Sequence, residues 1–276
     1  GGSISSPTFK SPPAGGLESF IIDLSGLADG PVSVAWSASD SAGNPATQTA
    51  PNVTKDTVAP GAPSSLAVQA GQSNATGVIN MRNEAGVRVA AAFTSNALGG
   101  GELFTITMTP QGSNSPSVSY GPISSGPIGG SSFVFGPMNT TPIPEGSVDV
   151  RIDIVDAAGN ATSHLGAPAV KDVTPPATPT SAGVSAGTMN PANFINFQNE
   201  PSIDVGVGFG SGSVSTDQVW VTLTGGVFIV MAGPLTAPDG TGSLSFAGMD
   251  GSPLTDGLVS VQVTVEDVNG NQSIFA

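Results

Sequence analysis

The sequence predicts an all-β protein, built as β-sandwiches repeated in tandem, and three observations carry that prediction. First, short apolar runs with period-two alternation are separated by turn-forming clusters at regular intervals, without helical periodicity between them. Second, 38 Gly and 24 Pro punctuate the 276 residues, yet hydrophobic residues still make up 38 %, enough to fill cores between short strands. Third, the same phrases return at a fixed distance. Asp40-Ser41-Ala42-Gly43-Asn44 and Asp156-Ala157-Ala158-Gly159-Asn160 lie 156 − 40 = 116 residues apart, and Lys55-Asp56 and Lys171-Asp172 lie 171 − 55 = 116 apart. A third copy of the first phrase, Asp267-Val268-Asn269-Gly270-Asn271, follows at 267 − 156 = 111. Such self-similarity marks a tandem array, and the chain is expected to be a piece of a longer one.

Residues 1–56 are expected to be the C-terminal part of one repeat. Ser19–Ile22 is a short apolar run, Leu27-Ala28-Asp29-Gly30 a turn, and Val32, Val34, Trp36 and Ala38 alternate with Ser33, Ala35, Ser37 and Ser39. That alternation assigns Trp36 to the inward face of a strand as a core residue, at the position later occupied by Ile152 and Val263.

The complete repeat, 57–172, opens after Ala59-Pro60-Gly61-Ala62-Pro63, whose prolines cannot continue a hydrogen-bonded ladder. Its expected strands are Ser65–Gln69, Gly77–Met81, Gly86–Phe93, Leu103–Thr109, Ser132–Phe135 and Ser147–Val155, with a last strand that contains His164. The third repeat, 173–276, matches the later three with Val219–Thr224, Ser243–Phe246 and Leu258–Val265, and lacks the end of its last strand. The turn Glu145-Gly146 corresponds to Asp29-Gly30 and Asp256-Gly257. Ile79-Asn80-Met81-Arg82-Asn83-Glu84 returns as Ile195-Asn196-Phe197-Gln198-Asn199-Glu200, again 195 − 79 = 116 apart, so a whole loop repeats along with the core pattern.

Charge and composition exclude several functions. Six basic against twenty acidic residues give a net charge of −14, so there is no electrostatic footprint for nucleic acid. The chain has no cysteine and a single histidine, His164, which removes disulfides, thiolate chemistry and most general acid–base chemistry. No catalytic or organic-cofactor residues are assigned, and the protein is read as a non-enzyme. No apolar run approaches the roughly eighteen residues of a membrane span, and Gly1 opens no basic-then-apolar leader, so any export signal is expected outside this chain. Gly99-Gly100-Gly101 and Gly129-Gly130 lack the helix and Lys-Ser/Thr of a phosphate loop. Asp149, Arg151 and Asp153 fall on an outward, solvated strand face.

The Asp-x-Ala-Gly-Asn turn (Asp40–Asn44, Asp156–Asn160), the Lys-Asp-x-x-x-Pro linker (Lys55–Pro60, Lys171–Pro176) and the Ile-Asn-x-x-Asn-Glu loop resemble the bacterial immunoglobulin-like repeats of large cell-surface adhesins. The likeness covers essentially the whole chain. It departs at Val173-Thr174-Pro175-Pro176, where the family more often reads Asp-Thr-Thr-Ala-Pro. The resemblance implies tandem immunoglobulin-like sandwiches arranged end to end, an extracellular location on a bacterial surface, and neighbouring repeats of the same or another chain as partners. Within that family such repeats mostly extend an adhesin while other domains bind.

Immunoglobulin strand order would set the Asp-x-x-Gly-Asn turn at the upper end of each domain and the Asn-Glu loop at the lower end, beside the outgoing linker. Stacked repeats then bring Asn83, Glu84 and Asp172 against Asp267, Asn269 and Asn271. That set of hard oxygens suits calcium (Ca2+), which accepts six to eight carboxylate, amide and carbonyl ligands. Asp56, Asp156 and Asn160 form the corresponding joint before it, and Asp40 with Asn44, and Glu200, are half-sites. The alternative is that these Asp, Gly and Asn residues serve only as turn formers. The expected function is a calcium-stiffened structural spacer; the runner-up is a self-assembling surface-layer, sheath or filament subunit.

Overall fold

The computed structural model describes residues 2–5, 21–72, 74–94, 97–112, 116–124 and 132–276, and they are all-β apart from one short 3-10 turn, Glu84–Gly86. The first four strands are β1 (Gly30–Val32), β2 (Ala35–Ser39), β3 (Pro45–Thr49) and β4 (Val53–Lys55). β1 pairs with β4 and β2 with β3, as two separate antiparallel ladders. Every residue of β2 and β3 is exposed. The core assignment of Trp36 is therefore corrected: the ring is 52 % exposed, because among the described residues no second sheet covers this hairpin. Of the run expected at 19–22, Ser19 and Phe20 lie outside the described residues and Ile21–Ile22 form no strand. Gly129-Gly130 also lies outside them.

The next nine strands are β5 (Ser65–Val68), β6 (Val78–Ile79), β7 (Val87–Ala92), β8 (Leu103–Pro110), β9 (Val118–Ser124), β10 (Ser132–Met138), β11 (Gly146–Val155), β12 (Ala161–Leu165) and β13 (Ala169–Lys171). One sheet runs β10-β7-β5; the other runs β6-β13-β11-β8-β9, with β12 also on β11. Their inner faces follow the period of two: Phe104, Ile106 and Met108 on β8 and Val148, Val150, Ile152 and Ile154 on β11 are buried, against Val87, Val89 and Ala91 on β7. Phe104 anchors an aromatic cluster, its ring 5.4 Å from Phe133 and 5.5 Å from Phe135.

The last seven strands are β14 (Ser181–Val184), β15 (Ile203–Phe209), β16 (Gln218–Gly225), β17 (Phe228–Thr236), β18 (Gly242–Met249), β19 (Val259–Glu266) and β20 (Gln272–Phe275). They form a second sandwich, β14-β15-β18 on β17-β16-β19-β20, around a separate core that includes Val205, Val219, Leu223, Phe246 and Val263.

Two features differ from the sequence expectation. β16 begins one residue earlier than expected, at Gln218: Phe104 opposes Ile154 and Val219 opposes Val265, so Val219, not Trp220, takes the place of Phe104. A one-residue slip would have turned the apolar set of β16 to solvent. The edge strands β9 and β17 are absent from the sequence expectation; each contains a Gly-Pro pair, Gly121-Pro122 and Gly233-Pro234, a dipeptide that ordinarily marks a turn. In the structure each glycine sits at a register shift with positive φ, 116° and 117°, where a Cβ would strike the carbonyl oxygen of Phe104 or Val219 at 2.3 or 2.6 Å. Glycine therefore permits a bulge, and the proline is tolerated at a sheet edge.

Candidate functional site at the joint between repeats

The Asp-x-x-Gly-Asn turn closes in the same way three times, joining β2 to β3, β11 to β12 and β19 to β20. At Asp267 one carboxylate oxygen accepts the backbone N–H of Asn269 (2.8 Å) and Asn271 (2.9 Å), and the other accepts the Asn271 amide at 2.9 Å. Asp156 accepts from Ala158 and Asn160, and Asp40 from Ala42 and Asn44, with the same atoms. Gly43, Gly159 and Gly270 supply the positive φ that the turn requires. The amide of Asn44 holds the Asp40 carboxyl below its usual range, and that of Asn160 does the same for Asp156.

The lower loop is built just as locally. Asn80 accepts the N–H of Arg82 at 3.0 Å, while Asn83 accepts the N–H of Asn80 at 2.7 Å and donates to the carbonyl of Val78. Asn196 and Asn199 repeat this arrangement. β13 runs parallel to β6, and Asp172 N donates to the Ile79 carbonyl at 2.9 Å, which lays the outgoing linker beside the loop.

The joint follows from these two pieces. Asn271 donates to the Asp172 carbonyl at 3.0 Å and accepts the N–H of Met81 at 2.8 Å; Asn269 donates to the Asp172 carboxylate at 2.7 Å. Asn80, in turn, donates to the Asn269 carbonyl at 2.8 Å. Asn271 and Asn80 are fully buried. At the preceding joint Asn160 donates to the Asp56 carbonyl at 3.2 Å, but Ala158 stands where Asn269 does, so the second linker bond is missing. Asn160 is half-buried and Asn44 is exposed, a gradient that tracks how much of a neighbour each turn meets.

Of the residues expected at this joint, the structure brings Asp172, Asp267, Asn269 and Asn271 together, and it also places Asp56, Asp156 and Asn160 at one joint. Asn83 is turned into its own loop. Glu84 pairs instead with Lys171 at 3.1 Å, and Lys171, itself buried, also donates to the carbonyls of Thr140 and Ile143. Asp40, Asn44 and Glu200 make no hydrogen bond to another repeat among the described residues.

The arrangement does not fit a calcium ion bridging the joint. Calcium needs converging oxygens, whereas Asn269 and Asn271 present N–H groups to Asp172 and Asp267, and the Asn271 oxygen already accepts from Met81. Among the described residues no three acidic or histidine side chains group as metal ligands do. What the geometry provides is direct amide–carboxylate and amide–carbonyl bonding across the boundary. Asp217, buried nearby, has its carboxyl pushed up by burial and by the charge of Asp267.

Sequence reasoning missed three participants. The signal for Asn80 in the sequence is its return as Asn196. Lys171 and Lys55 were visible as a repeated Lys; in the first repeat Lys55 likewise donates to the carbonyl of Leu27 and lies 3.7 Å from Asp29. Glu145 was read as a turn residue, but it accepts Val173 N–H and the Thr174 hydroxyl, both at 2.9 Å, which lower its pKa and tie down the linker. Asp29 holds Thr57 in the same way.

Comparisons with known proteins come last. No protein-family model matches the chain, and no curated protein does. Among solved structures it is similar to a Ca2+-stabilized adhesin of an Antarctic bacterium described as reaching out and binding ice, at 21 % identity and TM-score 0.38, covering 89 % of this chain and 55 % of that one. It is also similar to the FN1–FN3 domains of chicken CNTN1 (10 %, TM-score 0.45, covering 88 % and 76 %). A third likeness is to a 1.5-MDa bacterial ice-binding adhesin studied for host cell surface retention (18 %, TM-score 0.35, covering 90 % and 72 %). The chain spans about half the length of the first of these. With TM-scores no higher than 0.45, the likenesses assign neither family nor function.

Proposed function

We propose that this chain is a run of structural spacer repeats from a bacterial cell-surface adhesin, extracellular and without catalytic activity. In this reading 57–172 and 173–276 are repeats, 1–56 is the C-terminal part of another, and each repeat partners its neighbours end to end. The observation that supports it most is the joint itself: Asn271, fully buried, is bonded at once to the linker Asp172 and to Met81 of the preceding loop. A boundary held by buried, directional bonds resists bending, which is what a spacer requires and a flexible tether lacks. The loop at Asn196–Glu200 carries the same internal bonds with Phe197 exposed where Met81 stands, as a surface for a further turn of this kind.

Calcium stiffening is the finer version of this proposal. The acidic excess and the repulsion between Asp217 and Asp267 favour it, and it requires the amides of Asn269 and Asn271 to turn over so that oxygens converge. Small-angle scattering of the wild type and of Asp172→Ala, in calcium and in chelator, tests both versions. A spacer held by direct bonds is long and stiff in either medium, and Asp172→Ala loosens it in both. A response to calcium in the wild type alone supports the metal version. A wild type that bends freely in both media refutes the spacer. Growth of the scattering mass with concentration would instead favour the self-assembling subunit.

A further inference from the structure

Beside the joint lies a groove that the spacer role leaves unused. A cavity of about 240 Å³ is lined by Gln69, Gln72, Asn74, Asn83, Arg82 and Arg88. A second, of about 250 Å³, shares Gly71, Gln72, Asn74 and Arg82 with it and continues onto Glu266, Asn269 and Gly270 of the next repeat. The two arginines stand out in a chain of net charge −14. Lys55, Arg151 and Lys171 are each paired with an acid, but Arg82 and Arg88 make no ion pair among the described residues. They are not required by the scaffold either, since Gln198 and Asp204 stand 116 residues on, at the equivalent places of the third repeat.

We infer that this groove binds an acidic saccharide, its carboxylate or sulfate held between Arg82 and Arg88 and its neutral hydroxyls directed along the groove toward Glu266. Guanidinium forks match planar or tetrahedral oxyanions in a bidentate way. Asn74 and Asn83 already donate their amides to backbone carbonyls, which leaves Gln69 and Gln72 as adaptable groups for hydroxyls. The lining presents side-chain amides beside the two guanidinium groups and no large apolar pocket, which suits a ligand made of hydroxyls and a single acid group. Each cavity is smaller than the roughly 300–1,000 Å³ of drug-sized sites, so one sugar unit fills each. Glu266 at the far end repels a second anionic group and accepts from hydroxyls, so the ligand is acidic at one end only.

The test is an NMR titration of the whole chain with sialyllactose, which is acidic at one end, using lactose, inorganic phosphate and triglutamate as comparisons. Sialyllactose is expected to shift the amide signals of Gly71, Gly86 and Gly270 with a Kd of about 1 mM, a typical weak affinity, while lactose leaves them in place. Arg88→Gln and Arg82→Gln are each expected to weaken binding about tenfold or more, with Arg151→Gln unchanged. Both arginines are exposed, so their loss leaves the fold intact and the readout interpretable. No shift at about 10 mM sialyllactose, ten times that Kd, equal shifts with lactose, or unaltered binding in both arginine variants would overturn the inference. Tighter binding of phosphate or triglutamate than of sialyllactose would overturn the saccharide assignment as well.

Discussion

Asn271→Asp gives the clearest reading of how the joint is held, because it keeps the side-chain shape and exchanges a donor for a charged oxygen. The native amide donates to Asp267 at 2.9 Å and to the Asp172 carbonyl at 3.0 Å, while the oxygen that receives Met81 N–H is retained. The lost bond to a carboxylate is worth about 1.5–3 kcal/mol and the lost bond to the carbonyl about 0.5–1.5 kcal/mol. Two carboxylates about 4 Å apart add about 1 kcal/mol of repulsion in water and about 4 kcal/mol at an effective dielectric constant near 20. Together these amount to at least about 3 kcal/mol. Protonation of the new carboxyl caps the penalty: burial and the neighbouring carboxylate raise its folded-state pKa, so the repulsive part of the loss should shrink as the pH falls from that raised value toward the unfolded carboxyl value of about 4 and be absent below it. Urea unfolding followed by Trp220 fluorescence, in chelator at pH 7 and pH 3, measures it. A variant within about 0.5 kcal/mol of wild type at pH 7, the range of an unremarkable surface change, would show that the amide does not hold the joint. Strong restabilisation of the variant by calcium, beyond that of the wild type, would show that the same geometry accepts a metal once an oxygen replaces the amide.

Further outcomes follow from the same structure. Lys171→Met removes the donor to Thr140 and Ile143 and leaves Glu84 unpaired, so the second repeat should lose about 3–5 kcal/mol in chemical denaturation; adding Glu84→Gln should recover part of it. Asp217 has a folded-state pKa raised by burial and by Asp267, so its ionisation weakens the fold as pH rises from the unfolded carboxyl pKa through the folded one. Asp217→Asn should therefore raise Tm at neutral pH and leave it unchanged near pH 3; an unchanged Tm at both would contradict this. Asn160→Ala should loosen its joint less than Asn271→Ala loosens the next, because Asn160 is half-buried and makes a single linker bond, as scattering-derived flexibility would show.

Much of the fold was legible because its signals are local. A period of two over Phe104, Ile106 and Met108 reports an inward face directly, and an Asp followed by Gly and Asn reports a turn whose bonds all lie within five residues. The spacing of 116 residues reports the repetition, and the immunoglobulin strand order that the resemblance implies sets turn and linker at opposite ends of a repeat, so that their meeting at a joint was expected. Tertiary structure alone decided the rest. Trp36 has the alternation of a core residue, but burial depends on a covering sheet, which no periodicity can report. Gly121-Pro122 and Gly233-Pro234 look like breakers until an edge position and a close carbonyl make them bulges. Glu84 was expected at the joint because immunoglobulin strand order sets its loop at the lower end of the repeat, yet Lys171, 87 residues later, takes its carboxylate. An asparagine offers an oxygen and an N–H₂ of nearly equal shape, and which of them faces a neighbour is set by that neighbour's own donors and acceptors. For Asn269 and Asn271 those neighbours are Asp172 and Met81, 97 to 190 residues away in sequence, and only the folded chain brings them into range.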